Sequence, residues 1–239
     1  MEHLEFKAIV APTIKELFID RMIGLILSGK LEVGERLPPE RELAAEMKVS
    51  KTIVHSGLTE LDRMGFVSIV PRKGTFVANY AELGTQETLN ALLKYNGGKL
   101  DMHTVRSMFE FRSALEGTAF KKFSDNHSDK DIEALQQIVD RVKKMSADED
   151  SFTTEDLAEE IFSFHHAVCV RSGNNVFPLV LNAFRTVSIV FWINGIRMYG
   201  REVSAAHTEK YFEYLKNRDA AGALEYLHED FDYYLANVK

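Results

Sequence analysis

The spacing of apolar positions changes character along the chain. Met22, Ile23, Leu25, Ile26 and Leu27 close a helical stretch that Ser28-Gly29-Lys30 stops, with Gly29 free to take positive φ. A second helix opens in Leu37-Pro38-Pro39-Glu40-Arg41-Glu42-Leu43-Ala44. Pro39 is pre-set for its first turn, Glu40 and Glu42 sit where the helix dipole favours negative charge, and it ends at Met47-Lys48-Val49. Ser50 caps a third helix, which runs through Thr52, Val54, Leu58 and Leu61 to Gly65. The period then drops to two. Phe66 to Val70 and Thr75-Phe76-Val77 read as strands around Pro71-Arg72-Lys73-Gly74.

From Ala78 to Glu82 onward the helical period returns and stays. Residues 85–95, 102–124, 129–147, 153–172, 174–199, 201–217 and 219–237 all read as helices, punctuated by Asn96-Gly97-Gly98, Gly173 and Asn217. The clearest stripe is Ile132, Leu135, Ile138, Val139, Val142 and Met145, with Ser128 as its cap. The fold expected is mainly α: a helix–turn–helix with a small β wing over residues 1–80, then an all-α bundle of six to seven helices over 81–239.

A helix–turn–helix with a wing presents one helix and one cationic hairpin to a DNA duplex. The helix opened by Ser50 carries Lys51, Thr52 and His55 beside its cap, hydroxyls and cations that suit phosphate oxygens and base edges. Arg41 lies one helix earlier, and Arg72 and Lys73 form the wing tip. Any of these alone reads as a solvated surface charge; on this spacing together they read as a DNA face. The net charge of −7 divides to match. Residues 1–80 hold eleven Lys and Arg against eleven Asp and Glu, so residues 81–239 carry the whole deficit, eighteen against twenty-five. The second region is thus ill suited to phosphate.

The first eighty residues resemble the winged-helix domain of the GntR family of bacterial transcription regulators. The resemblance rests on Ser28, Gly29, Leu31, Gly34, then Leu37-Pro38 and Glu40 to Ala44, then Val49, Ser50, Thr52, Val54 and Leu58, and finally Gly74-Thr75-Phe76-Val77. It implies DNA contacts at Arg41, Ser50, Lys51, Thr52 and His55. The family's Arg-Thr-Thr is Lys51-Thr52-Ile53 here, and its Arg-Glu-Ala is His55-Ser56-Gly57. Lysine loses the bidentate reach of arginine, histidine replaces a permanent cation, and a mid-helix glycine costs on the order of 1 kcal/mol against alanine. An altered operator or weaker binding is the expectation.

In the helical region three ionisable residues occupy positions where apolar ones belong. Val105, Met108, Arg112, Leu115 and Ala119 share a stripe that turns Arg112 inward; Leu157, Ile161, Phe164, His165 and Val168 do the same for His165; Arg185 interrupts an apolar face. A buried guanidinium needs a partner. For Arg112 that is either Glu116 one turn on or the carboxylate or phosphate of a ligand. His165 reads by itself as a hydrogen-bonded core histidine. Phe177, Phe184, Phe191, Trp192 and Tyr199 suit a core or a pocket wall.

Phe111-Arg112-Ser113-Ala114-Leu115-Glu116, and Phe164-His165-His166-Ala167 followed by Ser172-Gly173-Asn174, resemble segments of the FadR-like branch of the same family. That resemblance implies an all-helical FCD-type domain that dimerises and binds a small effector, with Arg112, His165 and Arg185 as effector contacts. Many members of the branch hold a divalent metal through an Asp, the His of Phe-His and two later histidines. Those positions are Ile161, His165, Thr208 and Asp230 here, and Ile161 cannot ligate, so no metal or other cofactor is expected. A rebuilt zinc-type site from His165, His207 and His228, serving a sensor or an enzyme, is the alternative.

The remaining features narrow the class. Cys169 is the only cysteine and forms no internal disulfide, no signal segment is apparent at the N-terminus, and the longest apolar run, Val176 to Tyr199, is broken by Asn182, Arg185, Ser188, Asn194 and Arg197. They point to a cytoplasmic protein with no membrane partner. Cys169 lies one turn after His165, but no third orienting group accompanies the pair, and neither a Walker loop nor a dinucleotide fingerprint is present. The expectation is therefore no enzyme, but a transcriptional regulator. It binds a palindromic double-stranded operator as a homodimer, as a repressor, under the control of a small acidic effector.

Overall fold

The structure, a computed structural model, describes residues 11–97, 99 and 101–237; Gly98 lies outside them. The chain forms two compact units, Met1–Gly97 and Gly98–Lys239. The residue 80 expected as a boundary falls inside the first unit, because a short helix and its successor remain tied there. Thr88 Oγ1 donates to the Met64 carbonyl, Arg63 meets Glu87 at 2.7 Å, and Lys94 meets Asp20 at 2.7 Å.

In the first unit the elements are α1 (Ile14–Leu27), α2 (Glu40–Met47), α3 (Lys51–Arg63), β1 (Val67–Val70), β2 (Gly74–Val77), α4 (Tyr80–Leu83) and α5 (Gln86–Tyr95). Thr13 and Glu16 close a capping box on α1, and Gly29 takes φ +72° just past its end. Phe18, Met22, Leu43, Leu58, Leu61 and Phe66 are buried in a common core. Each such side chain contributes about 1.5–3 kcal/mol on burial. β1 and β2 pair antiparallel with Val67 opposite Val77 and Val70 opposite Gly74. Gly65 turns the chain from α3 into β1 at φ +76°, with a Cβ there standing 2.5 Å from the Leu83 carbonyl oxygen, so no other residue fits without displacement.

Gly57 has a different reason to be glycine. It is buried in mid-α3 against α1, where a Cβ would lie 2.3 Å from Cδ1 of the buried Phe18 ring. The residue thus marks close packing of two helices.

Among the described residues the second unit is helical throughout: α6 (Met102–Asn126), α7 (Asp129–Ala147), α8 (Thr154–Arg171), α9 (Phe177–Ala183), α10 (Arg185–Tyr199), α11 (Arg201–Lys216) and α12 (Ala220–Asn237). Capping boxes at Ser128 and Thr153 start α7 and α8, and Leu135, Ile138, Val139 and Val142 bury the stripe of α7. The helix expected over 174–199 is two helices bent by 71°. Phe184 leaves the helical conformation at ψ 12° and lays its ring 4.9 Å from Phe111. Both sides of the break are apolar, so periodicity does not reveal it. No single described helix is long and apolar enough to cross a membrane, and Leu181, Val187, Phe191 and Ile196 of the bent pair are buried inside this unit.

Candidate functional site

The first unit places all of the expected cationic and hydroxyl side chains at its surface. Ser50 caps α3, its Oγ accepting from the Ile53 amide at 3.3 Å, and Lys51, Thr52 and His55 are exposed on the first turns. Arg41 is exposed on α2. Arg72, at φ +64°, and Lys73 are exposed in the turn between β1 and β2. Two residues that matter here were not read from the sequence as part of the DNA face. Glu40 Oε1 lies 2.7 Å from His55 Nδ1, and Oε2 lies 3.9 Å from Lys51 Nζ. Its carboxylate orients the imidazole and offsets part of the positive field at the start of α3. Arg36 forms a bridge with Phe76, and its guanidinium packs so closely on Gly74 that a Cβ there would stand 2.9 Å from Nε. It adds an exposed cation beside the wing. Neither pairing is local, so no short motif announces it.

In the second unit a cavity of about 50 Å3 lies among α6, α8, α10, α11 and α12. Arg112, His165, Trp192, Tyr211 and Asp230 line it. Arg112 is 4 % exposed; its Nε donates to Glu116 Oε1 at 2.7 Å. His165 Nδ1 stands 2.8 Å from Glu116 Oε2. Burial alone would raise the Glu116 carboxyl, but the Arg112 charge, then His165, with a hydrogen bond from each, outweigh it and hold the group at about 2. Glu116 is therefore ionised at neutral pH and accepts only, so His165 Nδ1 carries the proton and Nε2 is the nitrogen left over. Both readings of Arg112 meet in this geometry. It is paired internally, yet its Nη groups make no hydrogen bond among the described residues, and its guanidinium lies 4.5 Å over the Trp192 ring.

Arg185 does not join this site, a correction to the expected effector set. The break at Phe184 leaves Arg185 at the first position of α10, exposed, where it pairs with Glu159 and stacks 4.8 Å over Phe162. Of the aromatic residues named above, Phe191, Trp192 and Tyr199 line the cavity, while Phe177 and Phe184 pack elsewhere.

The four positions at which the branch holds its metal do converge, since Ile161, His165, Thr208 and Asp230 all line this cavity. The donors do not fit a divalent ion. Ile161 has none, Thr208 Oγ1 donates to the Ser204 carbonyl at 3.2 Å, and His165 Nδ1 is engaged by Glu116. The rebuilt trio is also separated, because exposed His228 hydrogen-bonds Ser113 at 2.5 Å in a different groove. No group of three or more His, Cys, Asp or Glu is placed for a metal among the described residues. Cys169 is buried 1 % exposed, and desolvation, with Glu116 adding, pushes its thiol up to about 12, the wrong direction for a nucleophile.

Comparison with known proteins accords with this geometry. The profile for bacterial regulatory proteins of the gntR family matches residues 18–77, and that of the FCD domain matches residues 107–232. The HTH-type transcriptional regulator YcbG of Bacillus subtilis is 22% identical over 96% of this chain and 91% of its own length. The fatty acid metabolism regulator protein of Shewanella oneidensis is 29% identical over 69% of this chain, which spans 64% of that relative. The solved structure of Lar, described as controlling expression of the Listeria monocytogenes agr system, superposes with a TM-score of 0.62 at 17% identity, covering 95% of this chain and 97% of Lar. The chain belongs to the GntR family of bacterial transcription regulators, with a winged DNA-binding domain followed by an FCD effector domain.

Proposed function

We propose that this regulator binds a palindromic operator as a homodimer and represses transcription until a compact carboxylate effector, seated on Arg112, weakens its grip. The observation that carries this reading is a buried guanidinium facing a cavity with its Nη donors free of hydrogen bonds among the described residues. The planar fork suits a carboxylate, and the guanidinium is stacked on the Trp192 face. His165 lines the same cavity. Arg41, Ser50, Lys51, Thr52 and His55 read the operator, with Arg72 and Lys73 at the adjacent groove; two-fold symmetry of the protein is matched by an inverted repeat.

The effector acts by linkage: it binds one dimer arrangement better than another and shifts operator affinity by that difference. Repression is the output expected of a dimer whose operator overlaps a promoter. About 50 Å3 is room for roughly three to five waters, which suits a short acid and leaves no space for a long acyl chain. Neither a metal nor another cofactor takes part, and the protein works in the cytoplasm.

Selection from a random duplex library, followed by titration of the recovered operator with short carboxylates, tests the whole reading. An inverted repeat whose occupancy falls with one of these acids, but not in Arg112→Lys, is the expected result. Retained DNA without a consensus removes the operator reading, and an acid response that survives Arg112→Lys removes the clamp.

A further inference from the structure

The cavity has a second pole. Asp230 also lines the cavity: its Oδ1 is shielded from solvent and accepts no hydrogen bond among the described residues, although His207 Nδ1 stands 3.1 Å away without hydrogen-bond alignment and the Tyr199 hydroxyl interacts with the same carboxylate. The Tyr211 hydroxyl, on a residue 3 % exposed, is equally without a partner. Tyr211 spans the two poles: its ring lies 5.5 Å from His165 on one side and 4.9 Å from Tyr226 on the other. Burial first, and then Asp230, push its phenol well above the ordinary value, so it is a neutral hydroxyl able to accept.

Aromatic faces gather round this acidic end. Tyr199 and His207 are 5.1 Å apart, and His207 and Tyr226 5.6 Å. A carboxylate oxygen without a hydrogen bond, a hydroxyl without a partner and several ring faces make a receptor for an ammonium group. Charge balance points the same way. Arg112 is already neutralised by Glu116, so a plain carboxylate brings an excess negative charge into a cavity that also holds Asp230, beside which stands the imidazole of His207. A zwitterion brings none.

We infer that the effector is a compact amino acid, its carboxylate on Arg112 and its ammonium on Asp230 Oδ1 and the Tyr211 hydroxyl. This rests on the carboxylate reading of Arg112 given above, and it goes further in naming the second functional group.

The test uses the full-length protein and follows Trp192, the only tryptophan, which sits against Arg112. Titrations compare glycine with glycolate and acetate, β-alanine with propionate, and 4-aminobutyrate with butyrate. At least one amino acid is expected to bind about 10–100-fold more tightly than its des-amino partner, the range for a hydrogen bond to a charged group. In Asp230→Asn, and in Tyr211→Phe, which removes only a hydroxyl, that preference shrinks toward unity. Both variants are checked for native thermal transitions. Plain acids binding as well as amino acids, with Arg112→Lys abolishing both, overturn the zwitterion and leave the clamp. A hydroxy acid preferred over its amino analogue overturns it too, since the second pole then recognises a neutral donor. No response to any acid takes down the clamp and this inference together.

Discussion

Glu116 is the buried counter-charge to Arg112 in the helical domain. Glu116→Gln keeps the shape of the side chain and removes its charge, leaving Arg112 buried at 4 % exposure with no counter-charge. Two routes give the magnitude. The carboxyl drops from 4.5 to about 2 on folding, and at 1.36 kcal/mol per unit that amounts to about 3 kcal/mol of stability at neutral pH. Removing one member of a buried ion pair independently costs about 3–5 kcal/mol. Because the folded value is depressed, the stabilisation is complete above the unfolded value of 4.5 and is lost as pH falls toward 2. Urea unfolding followed at Trp192 reports on this domain alone, since the first unit has no tryptophan. The variant should be less stable by about 3 kcal/mol at pH 7, and the gap between the two proteins should narrow steadily below pH 4.5. A loss under about 1 kcal/mol, or a gap indifferent to pH, would refute the argument that Glu116 is an ionised counter-charge.

Further outcomes are expected in the winged domain. Arg41→Ala should cost about 1–3 kcal/mol of operator affinity by gel shift, and an unchanged affinity sinks its placement on the DNA face. Replacing Arg72 or Lys73 by alanine should lower the slope of log affinity against log salt by about 1 each; an unaltered slope means that side chain meets no phosphate. Gly57→Ala should gain about 1 kcal/mol from helix propensity and lose more from the 2.3 Å approach to Phe18, as overpacking costs about 1–3 kcal/mol. Thermal melting of the winged domain that rises instead would show that Phe18 moves aside. Ser50→Ala should destabilise the same domain by about 1 kcal/mol through its cap on Ile53.

What was legible in the sequence, and what was not, divides by range. The helix Asp129–Ala147, with its Ser128 cap, was readable to the residue because stripe and cap are local patterns. The break between α9 and α10 was not, since Phe184 is as apolar as its neighbours and leaves the helix to meet Phe111 far back in the chain. Pairing of Arg112 with Glu116 follows from their i, i+4 spacing, but nothing in that spacing brings in His165 from another helix. Gly57 read as a weak point and is a contact. Tyr211 looked like an ordinary helical residue, and Asp230 stood out only through the resemblance, as a metal position; only the packing of α11 and α12 aims them into one cavity.

The Arg112–Glu116 pair also explains how a ligand site of this kind persists without its ligand. An unpaired guanidinium at this depth would cost several kcal/mol, enough to threaten the domain. Glu116 removes that cost by engaging Nε and leaves the two Nη donors to the cavity. The same arrangement limits what an acid gains by binding, because the field it meets is that of a neutralised pair and not of a free cation. Selectivity must therefore come from elsewhere in the cavity. Asp230 and Tyr211 stand there with unused hydrogen-bonding capacity, and a ligand that completes them gains what a plain acid cannot.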